Sequence, residues 1–335
     1  MTRTLPPPAP HAPHAPPAPP AVARRPTLPC AVFGWALAYG ALRLWWAVAG
    51  APAFPPLGTD LMVFTGWWAV VLCAATALLG VALNRARAWR PALVAAGWAV
   101  CAALLLSCAL LLLDLVGLLI LDPGAAFHPG AFASRLGCLA GVALLAAALV
   151  DHRRRRRGDC RRCGRTGRPR ATGPAVVPGW ARVAAWAAVA GCLLRLAAQV
   201  WVGFDEVPLS QGASMVAFEV GFLLAGVLLP LALVYGWGQV WPRWVPLLAG
   251  RRVPRLLPLV PAAVFAVGLV GYFGIGLAQL TVETVTGTFD PGDGRYPLAF
   301  FWVAEPAYWV WGWGLGVAAV DYHRRARRAC PACGR

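Results

Sequence analysis

Two cysteine pairs, Cys160-Arg-Arg-Cys163 and Cys330-Pro-Ala-Cys333, have the two-residue spacing that lets both sulfurs of one tight turn reach a single metal ion. Four such thiolates make a closed tetrahedral zinc site. The run from Cys163 to Cys333 is far too long for a compact zinc ribbon, so a shared ion requires another feature to bring the pairs together. The surrounding arginines suit a zinc tetrathiolate, which carries two net negative charges. They suit a reactive dithiol equally, because nearby cations favour the thiolate. His152 and His323 stand at different spacings from the cysteines in the two places and read as ordinary interface residues, while Cys73, Cys101, Cys108, Cys138 and Cys192 lie inside apolar runs, where thiols behave as small hydrophobes.

A second set of chemically capable residues is buried in sequence rather than clustered in it. Arg43, Asp114, Arg135, Arg195, Glu219 and Glu305 each interrupt a long apolar run, and ionisable groups in such runs face the interior of a membrane bundle and are candidates for function. Three cations and three carboxylates sum to zero, which fits mutual pairing in a low dielectric. The plainer reading is therefore a structural ion-pair network. The sharper one is a polar pocket open to the outside, with Gln199 and Gln279 as neutral neighbours and Pro306 disturbing the helix beside Glu305.

Elements must exist to hold these groups, and composition says which. Of 335 residues 59% are apolar and 13% charged, against about 45–50% and about 25% in soluble domains. An ordinary cytosolic enzyme is excluded. Eight stretches reach the roughly 20 apolar residues that a helix needs to cross a bilayer: 30–49, 60–83, 92–121, 131–150, 178–202, 213–236, 256–281 and 297–321. All 30 cationic residues are arginine, and 25 of them fall in the N-terminal tail, the loops after the second, fourth and sixth stretches, and the C-terminal tail. Cytoplasmic loops hold the excess of arginine, so both termini are expected in the cytoplasm and all six intramembrane charges in the outer half. Because the net charge of +17 is spread in this way, it predicts an orientation in a lipid bilayer and no nucleic-acid partner. Residues 1–29 are Pro/Ala-rich and are expected to form a disordered cytoplasmic tail. A signal sequence is the lesser alternative for the first stretch.

The chain also resembles itself. Asp122-Pro-Gly-Ala-Ala-Phe-His-Pro-Gly-Ala-Phe132 recurs as Asp290-Pro-Gly-Asp-Gly-Arg-Tyr-Pro-Leu-Ala-Phe300, and Asp151 to Cys160 as Asp321 to Cys330, at offsets of 168 and 170. Arg43 likewise answers Arg195. The expected fold is thus an all-α polytopic membrane bundle, eight transmembrane helices arranged as a tandem repeat of four. An even number of spans makes the repeats parallel. The units are 30–151 and 178–321, followed respectively by an Arg-rich cytoplasmic linker at 152–177 and a basic tail at 322–335, each with one CxxC pair. Parallel repeats bring both pairs to one face, and so supply the proximity that a shared zinc ion at Cys160, Cys163, Cys330 and Cys333 requires.

Ala38-Tyr39-Gly40-Ala41-Leu42-Arg43-Leu44-Trp45-Trp46-Ala47, followed by Gly50, resembles the opening helix of uncharacterised actinobacterial multipass membrane proteins built from a four-helix unit, some of them duplicated. The resemblance implies location and architecture, and no activity. Ala197 and Ala198 stand where the tryptophan pair of that helix would recur in the second copy.

No Walker loop, Gly-x-Ser-x-Gly elbow, His-Glu-x-x-His or dinucleotide fingerprint occurs. Three readings follow from the residues: a non-catalytic structural or regulatory membrane protein with a zinc clamp, a small-solute transporter with its site between the repeats, and a thiol-active membrane enzyme.

Overall fold

The computed structural model describes residues 27–55, 57–86, 90–120, 128–157, 160, 176–203, 213–241, 243, 245, 248–290, 296–326 and 330. Cys163 and Cys333 lie outside them, as does nearly all of the N-terminal tail. Among the described residues the regular structure is helical: α1 Thr27–Ala49, α2 Trp67–Arg85, α3 Pro91–Ser107, α4 Leu111–Ile120, α5 Pro129–Arg157, α6 Gly179–Val202, α7 Ala213–Val234, α8 Leu256–Thr286 and α9 Leu298–Arg325. Five of these, α1, α2, α5, α6 and α8, are long and apolar enough to cross a membrane. Their outward residues are what a lipid-facing surface needs: Leu37, Trp45, Val48, Leu78, Val183 and Val285 are 55% to 81% exposed, far more apolar surface than water tolerates in one bundle.

Of the other three expected spans, the third and the last differ from expectation for identifiable reasons. The stretch 92–121 is broken at residues 108–110. The carbonyl of Ser107 accepts the amide of Met62 at 3.0 Å, so the Leu111 amide turns to the carbonyl of Cys108 at 2.9 Å and the helix tightens before α4 resumes. The stretch 213–236 is helix from Ala213 to Val234, close to the expected bounds, with Val220–Val234 its described apolar part. The last helix, α9, has the length, but its tryptophans, Tyr308, Glu305 and Pro306 lower its apolarity. Boundaries move too. Residues 60–66 precede α2 instead of starting it, and α5 and α9 run on to Arg157 and Arg325, taking the first residues of the expected linker and tail into helix.

Packing follows one scheme twice. In the first half α1 packs on α2 and α5, α2 on α3 and α5, and α3 on α5; in the second α6 packs on α7 and α9, α7 on α8 and α9, and α8 on α9. Small residues set the closest approaches. A side chain at Gly141 would overlap the Trp35 ring across the α1/α5 contact, and one at Gly191 would overlap the backbone of Ala307 and Trp311 across the α6/α9 contact. The large residue sits on the first helix in one half and on the last in the other. Gly312 and Gly316 bring α9 onto Leu269 and Ala266 of α8. The two halves meet where α3 touches α8 and α4 touches α7 and α8, with Leu112 against Gly268 and with Leu106 and Ala109 near Gly271.

Candidate functional site

The charged residues of the first half converge at one end of α1 and α5. Arg43 on α1 is 5% exposed. Its Nη2 donates to Oδ2 of Asp60 at 2.6 Å, to Oγ of Ser134 on α5 at 2.6 Å, and to the Tyr39 hydroxyl one turn earlier on its own helix. Ser134 in turn donates to the same carboxylate oxygen at 2.6 Å. Tyr39 and Trp46 cover the guanidinium faces, each ring centroid 4.9 Å from its carbon.

One residue further along α5, Arg135 reaches the opposite way. It is 1% exposed, donates through Nη1 to Oδ1 of Asp114 on α4, and binds the carbonyls of Asp60 through Nε at 2.7 Å and Thr59 through Nη2 at 3.2 Å. The break at 108–110 sets the course of α4, and Asp114 lies in the first turn of that short helix. The segment 50–66 completes the arrangement by folding inward, with Phe54, Asp60 and Leu61 buried. Non-helical backbone at membrane depth survives only when protein satisfies it, and the Arg135 contacts do so for two of its carbonyls.

In the second half Arg195 has different company. Its Nε donates to the Tyr308 hydroxyl on α9. The rings of Phe222 and Tyr308 lie 5.1 and 5.6 Å from the guanidinium carbon, with Phe273 stacked on Tyr308 at 3.8 Å. Cation–π contact is added to that hydrogen bond here. Glu305 on α9 points at Gly276 of α8, where an added Cβ would lie 2.7 Å from Oε2, and that oxygen is buried without a hydrogen-bond partner. Gln199 is buried and donates to the Gly203 carbonyl at 3.1 Å, whereas Gln279 is exposed. The side chain of Glu219 lies outside the described residues.

Structure thus brings Arg43, Arg135 and Asp114 into one cluster and leaves Arg195 and Glu305 in another setting. Asp60 is the residue that the expected set of buried charges leaves out and that the cluster depends on. Its position at the head of the apolar stretch 60–83, at the outer level of Arg43, is the signal that could have found it. Chemically the first cluster is turned largely on itself. Each arginine is engaged by several acceptors, and the carboxylate that accepts the Ser134 hydroxyl is held in turn by Arg43. Oδ2 of Asp114 and Nε of Arg43 are the buried polar atoms left over.

At the opposite ends of the long helices, Cys160 is half-buried and Cys330 buried. Among the described residues no three His, Cys, Asp or Glu side chains gather as a metal group, and α5 and α9 have no substantial contact. The last turns of these helices match: Arg155 pairs with Asp151 and Arg325 with Asp321, both at 2.6 Å. Arg156 donates to the carbonyl of Ala86 just past the end of α2, and Arg325 to that of Leu233 near the end of α7.

Comparison with protein-family models, with curated proteins and with solved structures finds no match for this chain.

Proposed function

We propose that the chain is an integral membrane protein without catalytic activity, structural or regulatory in kind. It consists of eight transmembrane helices in a parallel tandem repeat of four, with both termini cytoplasmic and one zinc ion tying the two cytoplasmic arms together. The closed Arg43–Asp60–Ser134 and Arg135–Asp114 cluster carries the non-catalytic reading. Its charges are spent on one another and on carbonyls, which is what a helix lock needs and a substrate site does not. The repeat is supported by the identical neighbour scheme of the two halves and by the matched Asp151–Arg155 and Asp321–Arg325 pairs. Orientation is supported by the arginines that end α5 and α9, in keeping with the positive-inside rule.

Cys160, Cys163, Cys330 and Cys333 would hold the ion. Since α5 and α9 stand apart and run on to Arg157 and Arg325, the gap must be spanned by the residues past the helix ends, three to Cys160 and five to Cys330, each reaching about 3.3–3.6 Å when extended. The test is metal content of detergent-purified protein under reducing conditions, beside a Cys330→Ser/Cys333→Ser variant. About one zinc per chain, lost in the variant, is expected for a four-thiolate site; no zinc with four thiols open to alkylation refutes the clamp and returns the pairs to dithiol chemistry. A second reading, a small-solute transporter, rests on one observation: Oε2 of Glu305 is buried and unpartnered on the helix that also holds Tyr308 against Arg195.

A further inference from the structure

The connection between α7 and α8 is where the two halves differ most. In the first half the corresponding link runs only from Ala86 to Arg90, between α2 and α3, while in the second it runs from Tyr235 to Arg255. The longer link is not a loose loop. Val240 and Arg252 form an antiparallel bridge, flanked by hydrogen bonds from the Trp241 amide to the Arg251 carbonyl and from the Val253 amide to the Gln239 carbonyl, both 2.9 Å. Gly238 lies so close to the carbonyl of Ala232 that no other residue fits without moving the chain, and its own carbonyl accepts the Tyr322 hydroxyl at 3.4 Å. These contacts fix the link against the end of the bundle.

Between the link and the two helices lies a cavity of about 400 Å³, within the roughly 300–1,000 Å³ of ligand pockets. Leu224 and Leu228 of α7, Trp237 and Trp241 of the link, and Leu257 and Phe265 of α8 contribute to a lining without any charged side chain. Leu224, Leu228, Trp237 and Leu257 are 41% to 51% exposed, so the cavity opens outward. The residues that adjoin the lining in sequence have the opposite character. Arg243 falls between the lining residues Trp241 and Val245, Arg251 and Arg252 directly precede Val253, and Arg255 precedes α8, all four exposed. None of the four guanidinium groups has an ion-pair or hydrogen-bond partner among the described residues, and the first turn of α8 contains no acid. An acyl-sized hollow beside four unpaired cations on the arginine-rich side matches an amphiphile with an apolar tail and an anionic head.

We propose that this cavity holds an acyl chain of an anionic glycerophospholipid from the adjoining leaflet, with the headgroup phosphate held by Arg243, Arg251, Arg252 and Arg255. The inference rests on the proposed reading that α7 and α8 span the bilayer with this end cytoplasmic. It goes beyond that reading because annular lipid would show neither headgroup preference nor dependence on the cavity. Basic pockets between helices on the cytoplasmic side suit such headgroups.

Native mass spectrometry tests the proposal on the full-length protein, released from detergent after incubation with dioleoyl phosphatidylglycerol or dioleoyl phosphatidylcholine at equal concentrations. One phosphatidylglycerol retained at least tenfold in preference to phosphatidylcholine is the expected result. Ala225→Leu and Ala232→Leu, which fill the cavity, should remove the adduct. Arg251→Gln and Arg252→Gln, on the exposed link where folding is not at stake, should weaken it about fivefold each. Glycerophosphoglycerol, the headgroup without its chains, should not compete. Equal retention of both lipids, or an adduct indifferent to the filling variants, overturns the proposal while leaving the span reading intact. Loss of the adduct only in the arginine variants overturns it too, in favour of surface attraction. Retention of neither lipid, together with proteolysis of the link from the wrong side of sealed vesicles, would instead remove the span reading on which the proposal stands.

Discussion

The pair Arg135–Asp114 offers the most direct test of whether the buried cluster is a lock. Its two side chains are 1% and 0% exposed, so neither can turn to solvent when the other is removed. Breaking a buried pair by truncating one partner costs about 3–5 kcal/mol. Hydrogen bonds between membrane helices are worth only about 0.6 kcal/mol on average, because the unfolded chain in lipid finds other partners. The two magnitudes separate the hypotheses. Asp114→Leu should cost about 3–5 kcal/mol, since it leaves a guanidinium without its counterion in a dry site. Arg135→Met should cost at least as much, because the carbonyls of Asp60 and Thr59 lose their donors at about 1–3 kcal/mol each. The double variant should fall well below the sum of the singles, with a coupling of about 3 kcal/mol, leaving chiefly the cost of the two carbonyls. Unfolding in mixed micelles, followed by circular dichroism, measures all four species. Additive single effects, or a loss under about 1 kcal/mol for Asp114→Leu, would refute the lock and reduce the pair to an ordinary interhelical contact.

The matched pairs at the helix ends differ in burial and should differ in worth. Asp151→Asn removes a partner from a pair whose side chains are 36% and 33% exposed and should cost about 0.3–0.5 kcal/mol, whereas Asp321→Asn disturbs one at 7% and 8% and should cost about 1–3 kcal/mol; equal losses in the same micelle titration would contradict this. Glu305→Gln should leave stability within about 0.5 kcal/mol, since the buried Oε2 has no bond to lose. A solute from a screen of small cations and amines that raises the melting temperature of the parent and not of Glu305→Gln would favour the transporter reading.

Helices were legible because apolar runs of about 20 residues have few alternatives, and most of their ends fall within a few residues of the expected places. Two features were not. Leu61-Met62-Val63-Phe64 reads as the start of a span, yet Gly58 and Gly66, both with positive φ, and Phe64 at φ 55° turn the chain inward there. The break in the third stretch depends on the Met62 amide taking the Ser107 carbonyl, a contact between residues 45 positions apart that leaves no local trace. The site was legible as a set of buried charges and not as a set of partners. Equal numbers of arginines and acids suggested a single layer. The described arrangement draws in Asp60 from a connecting segment and adds ring faces around Arg195, because a guanidinium can engage carboxylates, carbonyls and ring faces together and sequence does not say which.

Under the proposed repeat, Glu305 occupies the position of Arg135 and Trp311 that of Gly141, both at the offset of 170 that relates Asp151 to Asp321. The two copies therefore hold opposite charges at one place on the same helix, and exchange their large and small residues across the same contact. A duplicated unit can diverge in this way only if each change is met inside its own half. Trp35 opposite Gly141, and Trp311 with its backbone beside Gly191 and its ring beside Gly226, meet the volume change. The charge change is met unequally: Arg135 has Asp114 and two carbonyls, with Oδ2 of Asp114 left over, and Glu305 keeps a bare oxygen of its own. The second half also has the extended α7–α8 link and the cavity beneath it. Under the proposed repeat the paired arginines stand in the first copy, and the longer link with its cavity in the second, so the lock and the lipid proposal are tested on different copies.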